Sequence, residues 1–326
     1  MSDVVVLGQV GRDLVLRVDA LPDGGGSVPA RDRREVLGGK GANQAVALAQ
    51  LGVPVALIGV VGDDGPGTQA IAQADRDGID VSCVVPRKGA ETALLLDLVE
   101  DGGRRRLVEH VPGEVLLTPE DVAGAADQIA SCQVLVVQLQ QPGDAVRAAL
   151  DLLPDTAFVV ADGAPDDEAT RTGVLSRAAV VRADATEAGL LVGRELDGLD
   201  DAREATAELL TAGARLVALA VGAEGDLVAW RAGPPLQVAA EELDADPRWA
   251  DGEVLVPLLG PEPVDPTGAG DAYVAALTAT LLGGAGPEDA AWAASAAAAV
   301  TVAHPGGRPE LDGGALGEIV RRHRAV

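Results

Sequence analysis

Val264-Asp265-Pro266-Thr267-Gly268-Ala269-Gly270-Asp271 runs straight into an apolar stretch, Ala272 to Leu282. A glycine-rich turn that opens a helix leaves backbone N–H groups unpaired at the positive end of the helix dipole. Glycines also let a ligand approach the chain closely. The N–H groups of Gly268, Ala269 and Gly270 therefore suit a phosphoryl group. Asp271 falls in the first turn, where a carboxylate can take a proton from an attacking hydroxyl. The same residues would also make a plain helix start, with Thr267 as cap and Asp271 as an acid complementing the dipole.

Outward from this run the chain alternates. Strands are expected at Asp3–Leu7, Val55–Val61, Val134–Leu139, Ala157–Ala161, Ala179–Val181 and Leu216–Val221. Helices are expected at Ala42–Leu51, Gly67–Asp77, Pro119–Ala130, Asp144–Leu152, Ala185–Val192 and Asp200–Ala212. This order predicts an α/β fold whose mostly parallel sheet is covered by helices on both faces. Two pieces interrupt it. Val15 to Val36 is polar and holds Gly and Pro, and Ala93 to Val111 alternates around Asp101-Gly102-Gly103 like a hairpin. Together they predict a small projecting antiparallel sheet with one apolar face, over a ligand or a second subunit. Pro234 to Pro263 is acidic and irregular, a loop or an extra hairpin.

Composition narrows the functional class. Aromatic residues are only 2% of the chain, so the core must pack from Val, Leu, Ile and Ala. Fifty-one acidic residues against 25 basic give a net charge of −26, which repels nucleic acid and anionic membranes. Any phosphate site must therefore draw on backbone amides, helix starts and bound cations. Lys40 and Lys88 are the only lysines, and Lys40 lies inside a glycine cluster. Cys83 and Cys132 fit no metal or redox spacing and read as ordinary buried thiols. The start, MSDVVVLG, has no signal-peptide pattern, and Ala290 to Ala303 is too short to span a bilayer. A reducing cytoplasm is the expected setting.

A second cluster, Gly38-Gly39-Lys40-Gly41-Ala42-Asn43-Gln44-Ala45, precedes the segment Gly59 to Gly65. Alone, Gly-Gly-Lys-Gly could be a plain turn, and it is not a Walker A loop. With Val264–Asp271 far downstream, the pair resembles the two signatures of the ribokinase-like, or PfkB-type, carbohydrate kinases, in a form closest to ribokinases. The resemblance runs from the first strand to the Pro305-Gly306-Gly307 turn.

It implies a three-layer α/β sandwich over residues 1–326 as one domain, with lid segments at about 14–37 and 92–112. It implies ATP-dependent phosphorylation of a sugar hydroxyl, ribose first, with Mg2+, and a homodimer formed through the lid. Asp271 would be the base beside the Gly268, Ala269 and Gly270 amides. Asp13, at the end of the first strand, would hold the sugar together with Gly39, Lys40, Gly41, Asn43 and Gln140; Asp13 also suits a turn. Asp184 and Glu187 would serve the nucleotide, with Glu187 organising Mg2+ through water, although the pair equally makes a helix capping pattern. Val221, Gly222, Gly225 and Thr267 would serve the nucleotide, while Gly222 and Gly225 also suit a hairpin turn. Asp265 and Thr267, with the Ala303–Gly307 turn, match a potassium site.

Four positions depart from the family pattern. Gly11 stands in place of an asparagine, Gln140 of a glutamate, Glu114 of a lid-end asparagine and Asp184 of an asparagine. The first three bear on which sugar is taken. Fructose, another ketose, a sugar acid, a nucleoside or a phosphosugar are the alternatives. A catalytically silent binding protein on the same fold is a rival. A Rossmann dehydrogenase is a second rival, opposed by the lack of GxGxxG in Gly8 to Asp13 and of an acidic residue at the needed spacing.

Overall fold

The computed structural model describes residues 3–100, 104–234, 236, 246–260, 263–304 and 306–324. The expected turn at Asp101–Gly103, Pro305, and the middle of Pro234–Pro263 lie outside the described residues. In chain order the strands are β1 (Val4–Leu7), β2 (Gly11–Val18), β3 (Asp32–Gly38), β4 (Val55–Gly62), β5 (Asp80–Arg87), β6 (Ala93–Glu100), β7 (Arg105–His110), β8 (Val134–Gln138), β9 (Phe158–Asp162), β10 (Ala178–Ala183), β11 (Leu216–Ala220), β12 (Asp226–Trp230) and β13 (Gly252–Val256). The helices are α1 (Lys40–Gln50), α2 (Gly65–Arg76), α3 (Pro119–Gly124), α4 (Ala126–Ser131), α5 (Gly143–Leu152), α6 (Glu168–Arg177), α7 (Ala185–Val192), α8 (Gly198–Ala212), α9 (Ala269–Leu282), α10 (Pro287–Val302) and α11 (Gly313–Arg324).

The large sheet has the order β13-β12-β11-β10-β9-β8-β1-β4-β5. It is parallel from β11 to β5, and β12 and β13 extend it as an antiparallel edge. Side chains in β1 alternate between the two helical layers, as a period of two demands. Val4 and Val6 join the core formed with α1, α2, α9, α10 and α11. Val5 and Leu7 join the core formed with the helices from α3 to α8. The result is the expected three-layer sandwich.

The small sheet has the order β3-β2-β6-β7. Contrary to expectation it is not wholly antiparallel, because β2 and β6 run parallel. The chain between them returns along β3 and then passes through α1, β4, α2 and β5. Asp13 lies on β2, beyond the end of β1, and pairs with Leu95. The face it shares is more polar than expected: Asp13, Asp97, Arg105 and Glu109 accompany Leu95 and Leu107 on it. Leu94 and Val108 are exposed on the other side.

The expected helix at Pro119–Ala130 is two, α3 and α4, divided at Ala125 just after Gly124, a weak helix former. Besides β12, α10 and α11, two elements inside the alternation, β5 and α6, were not expected. β5 is an edge strand with Pro86 and an exposed Ser82, so its apolar alternation is weak. α6 buries little besides Thr170 and Val174. Of Pro234–Pro263, expected as a loop or an extra hairpin, the described part holds β13, which pairs with β12 upstream of that stretch. Cys83 is half-buried and Cys132 buried, and both are free thiols. Among the described residues no helix is long and apolar enough to cross a membrane.

Candidate active site

The C-terminal ends of β1, β8 and β10 open into one cavity of about 700 Å³, with the start of α9 on one side and the small sheet over it. This is where an open parallel sheet binds its ligands. The sequence scatters the lining residues widely: Asp13, Gly39, Lys40, Asn43, Gln140, Asp184 and the run Pro266–Asp271 all face it.

α9 starts at Gly268, which is left-handed at φ 71° with its would-be side chain directed at the Gly307 carbonyl. Only glycine fits that approach. No side chain caps the helix, so the first-turn N–H groups are presented to the cavity. Asp271, in that turn, is buried. Asn43 Nδ2 donates to its Oδ2 and Gln44 Nε2 to its Oδ1, each at 3.3 Å. Burial, and then the charge of Asp162, push its carboxyl up to about 7; Lys40 and Asn43 pull the other way. That value suits a base working near neutral pH.

The Gly38–Gln44 cluster ends β3 and begins α1. A side chain on Gly38 would collide with the Asp13 carboxylate, so this glycine makes room for the candidate sugar ligand. Asp13 is itself pushed up to about 7 by burial and by Asp97, against the Gly39 N–H, Arg105 and Arg12. Gly41 does not line the cavity. A Cβ there would come within 2.6 Å of the Gly8 backbone, so Gly41 instead lets α1 pack on the end of β1.

A polar chain crosses the floor. The Gln9 N–H donates to Gln138 Oε1 (2.7 Å), Gln138 Nε2 to Gln140 Oε1 (2.8 Å), and Gln140 Nε2 to Glu187 Oε1 (2.9 Å). Lys40 Nζ reaches the same Glu187 oxygen at 3.2 Å. Gln140 thus spends its amide on Glu187, and a glutamate in its place would repel that carboxylate. Burial disfavours the Glu187 charge, but Lys40, the Asp184 N–H and Arg182 outweigh it and hold the carboxyl below its usual range. Asp184 and Glu187 also form the reciprocal capping box of α7. Both sequence readings of this pair are therefore compatible with the geometry.

Two other departures have physical causes. A Cβ at Gly11 would come within 2.6 Å of the Ala93 carbonyl, so the pairing of β2 with β6 excludes an asparagine there. Glu114 is exposed in the Gly113–Val115 turn and does not line the cavity; Val111 and Leu116 do.

A second cavity of about 530 Å³ lies on the far side of the α9 start and is mostly apolar, with Leu258, Leu259, Ala298, Ala299 and Val302 in its walls. Gly222 lines it. Val221 instead lines a smaller neighbouring hollow, and Gly225 packs against the Val256 carbonyl. Asp265 is buried and accepts from the Thr267 N–H and hydroxyl (2.9 and 2.5 Å) and from the Gly306 N–H (2.8 Å), with Arg105 at 3.7 Å.

Sequence reasoning missed several residues here. Asp97 and Arg105 come from the small sheet, and their ion pair at 2.5 Å faces the cavity. Asp162 ends β9 between Gln44 and Arg182. Arg182 was detectable, since it is a cation inside the apolar run Val180-Val181-Arg182-Ala183, two residues before Asp184. The others carried no local signal.

The model of the pfkB family of carbohydrate kinases matches residues 1–312. The ribokinase of Schizosaccharomyces pombe is 28% identical over 94% of this chain and 93% of its own length. The ATP-dependent ribose-1-phosphate kinase of Halopiger xanaduensis is 30% identical over 94% of each. Among solved structures, Arabidopsis thaliana ribokinase complexed with ribose and ATP superposes with a TM-score of 0.75 at 20% identity, covering 98% of this chain and 99% of that one. A provisionally named ribokinase II of E. coli with ATP and Mg2+ gives 0.79 at 20%, covering 99% and 100%. A carboxylate beside an open helix start, reached by a glycine cluster from the other end of the chain, is an arrangement in keeping with a match of that span: the chain belongs to the pfkB family of carbohydrate kinases.

Proposed function

We propose that this chain transfers the γ-phosphoryl group of ATP to a sugar hydroxyl, with Asp271 as general base and ribose as the first choice of acceptor. One observation carries the reading. Asp13 Oδ1, Asn43 Oδ1 and Asp97 Oδ2 are buried acceptors without a hydrogen-bond partner, and all three residues line the same cavity. Unpaired buried acceptors are expensive, and a polyol brings the missing donors. The carboxylates of Asp13, Asp97 and Glu109 disfavour a phosphosugar, since the nearest cation, Arg105, is committed to Asp97. Ribokinase, deoxyribokinase and ribose-1-phosphate kinase are the names of relatives, and a pentose is common to them.

In the transfer, Asp271 takes the proton of the attacking hydroxyl while Asn43 and Gln44 fix its two oxygens. The N–H groups of Gly268, Ala269 and Gly270 stabilise charge developing on the phosphoryl oxygens. Residues 1–326 act as one unit, with about 14–37 and 92–112 as a lid that excludes water. The second cavity suits the base and ribose of ATP, with Gly222 at its edge.

Asp184 and Glu187 fit Mg2+ as outer partners: among the described residues no group of three acids, histidines or cysteines could hold a metal alone, and Mg2+ typically relies on phosphates, waters and one or two carboxylates. When bound with ATP it neutralises phosphate charge. Potassium fits less well. Asp265 already accepts three hydrogen bonds and has Arg105 beside it, so no step is assigned to potassium. A second copy of the chain would cover exposed Leu94 and Val108, which sedimentation tests.

The deciding assay measures ADP release with Mg2+ and ATP against ribose, 2-deoxyribose, fructose, adenosine and ribose 1-phosphate. Ribose is expected to give the highest kcat/KM. If no polyol raises ADP release above the sugar-free rate, the reading fails.

A further inference from the structure

Arg182, next to last in β10, is the one charged side chain, among the described residues, that lines both the polar and the apolar cavity. The other residues shared by the two are Pro266, Ala269 and Gly270, the start of α9 itself. Its guanidinium lies flat against that turn: a Cβ on Gly270 would meet Nη1 at 2.6 Å, Nη2 at 2.8 Å and Cζ at 2.9 Å. An arginine therefore stands where the two cavities meet, and glycine at 270 is what admits it.

Its hydrogen bonding is incomplete. A guanidinium has five N–H donors, yet the described contacts include one side-chain hydrogen bond, Nη1 to Asp162 Oδ1 at 3.2 Å, and a looser ion pair with Glu187 at 3.9 Å. The remaining donors sit in a side chain that is 14% exposed and whose open side is the junction of the cavities. Asp162, Glu187, Asp226 and Asp271 all lie within electrostatic reach. A triphosphate entering among those carboxylates meets repulsion unless a fixed cation faces it. Backbone N–H groups supply only partial charges.

Building on the kinase reading above, we propose that Arg182 is a catalytic residue whose guanidinium contacts the phosphoryl group as it moves from nucleotide to sugar. Asp162 and Glu187 hold one edge of the fork, and the other edge takes the equatorial phosphoryl oxygens, alongside the N–H groups of α9. Planar, multi-donor recognition of this kind is specific to arginine; lysine keeps the charge and loses the fork.

The test compares wild type with Arg182→Lys and Arg182→Gln in the sugar-dependent assay, and measures MgADP affinity with and without aluminium fluoride, a mimic of the transferring group. The expected result is a fall in kcat on the order of 10²-fold in both variants, with KM for the sugar and MgADP affinity within about threefold by the same criterion of selective transition-state loss. The tightening that aluminium fluoride gives wild type should disappear. A purely structural neutraliser of Asp162 and Glu187 would lower thermal stability while leaving that tightening intact, and this outcome overturns the proposal. So does a kcat within threefold of wild type in Arg182→Lys, which keeps the charge if Arg182→Gln fails to fold. Wild type inactive toward every polyol would instead refute the kinase reading, a separate failure.

Discussion

Asp271 and Asp13 face one cavity from opposite walls and carry nearly the same acidity. Burial comes first in pushing both up to about 7, followed by a like charge: Asp162 for Asp271 and Asp97 for Asp13. The tempering groups differ. Lys40 and Asn43 serve Asp271, whereas the Gly39 N–H, Arg105 and Arg12 serve Asp13. Acidity alone therefore does not pick out the base. Placement does, because Asp271 sits in the first turn of α9 beside unpaired amides, and Asp13 sits on a strand of the small sheet.

The largest effect should come from the α9 wall. Asp271→Asn keeps the shape and removes the proton acceptor, so kcat should fall on the order of 10³-fold, with ATP affinity little changed. Equal losses from Asp271→Asn and Asp13→Asn would break the distinction. The same substitution has a stability signature. The folded carboxyl is raised from 3.8 to about 7, so the fold favours the protonated form. That advantage is whole below pH ~4 and is lost as pH rises through about 7, on the order of 4 kcal/mol at most. Asp271→Asn should therefore raise the melting temperature relative to wild type at pH 8 and hardly at all at pH 4. Thermal melts at the two values check it.

Gly268→Ala attacks the same wall through the backbone. The new methyl meets the Gly307 carbonyl at a left-handed residue, so the turn must shift and its N–H groups lose their aim. A kcat loss on the order of 10²-fold is expected, with the sugar KM nearly unchanged. A KM rise without a kcat loss would move this turn from transition-state stabilisation to simple binding.

On the other wall, Asp13→Asn should raise the sugar KM on the order of 10-fold, the worth of one charged hydrogen bond, and change kcat less. It also sharpens the pH comparison. If both aspartates must be ionised in the free enzyme, log kcat/KM falls below pH ~7 with a slope approaching two in wild type and one in Asp13→Asn. Identical slopes would show that only one carboxyl is read out.

The mostly parallel sheet, its helical layers and the α9 wall were legible because their signals are local. β-Branched runs, helix stops and a glycine turn before an apolar helix each declare themselves within a few residues. The small-sheet wall was not. Asp97 lies on β6, which pairs parallel with β2, and Arg105 on β7, which pairs antiparallel with β6, an arrangement that no short stretch encodes. Gly38 and Gly11 likewise look like turn residues, and their reasons, the Asp13 carboxylate and the Ala93 carbonyl, lie elsewhere in the chain. Arg182 is intermediate, visible as an oddity in an apolar strand but assigned no place until β9, β10 and α9 meet.

The smallest effect tests the floor between the two walls. Gln140 donates to Glu187 at 2.9 Å, and Lys40 holds the same oxygen. Gln140→Glu brings a second carboxyl into that contact, where two adjacent acids do not both ionise readily. Near pH 6 one of them can keep its proton and restore the hydrogen bond. Near pH 8.5 both ionise, and Lys40 is drawn between them and away from the cavity. The ratio of variant to wild-type kcat/KM should therefore be close to one at the lower pH and fall about threefold at the higher, a loss of about 0.7 kcal/mol. A ratio that stays flat with pH would mean that Glu187 does not depend on Gln140. The neutral residue would then have to be explained by the sugar it meets rather than by the carboxylate behind it.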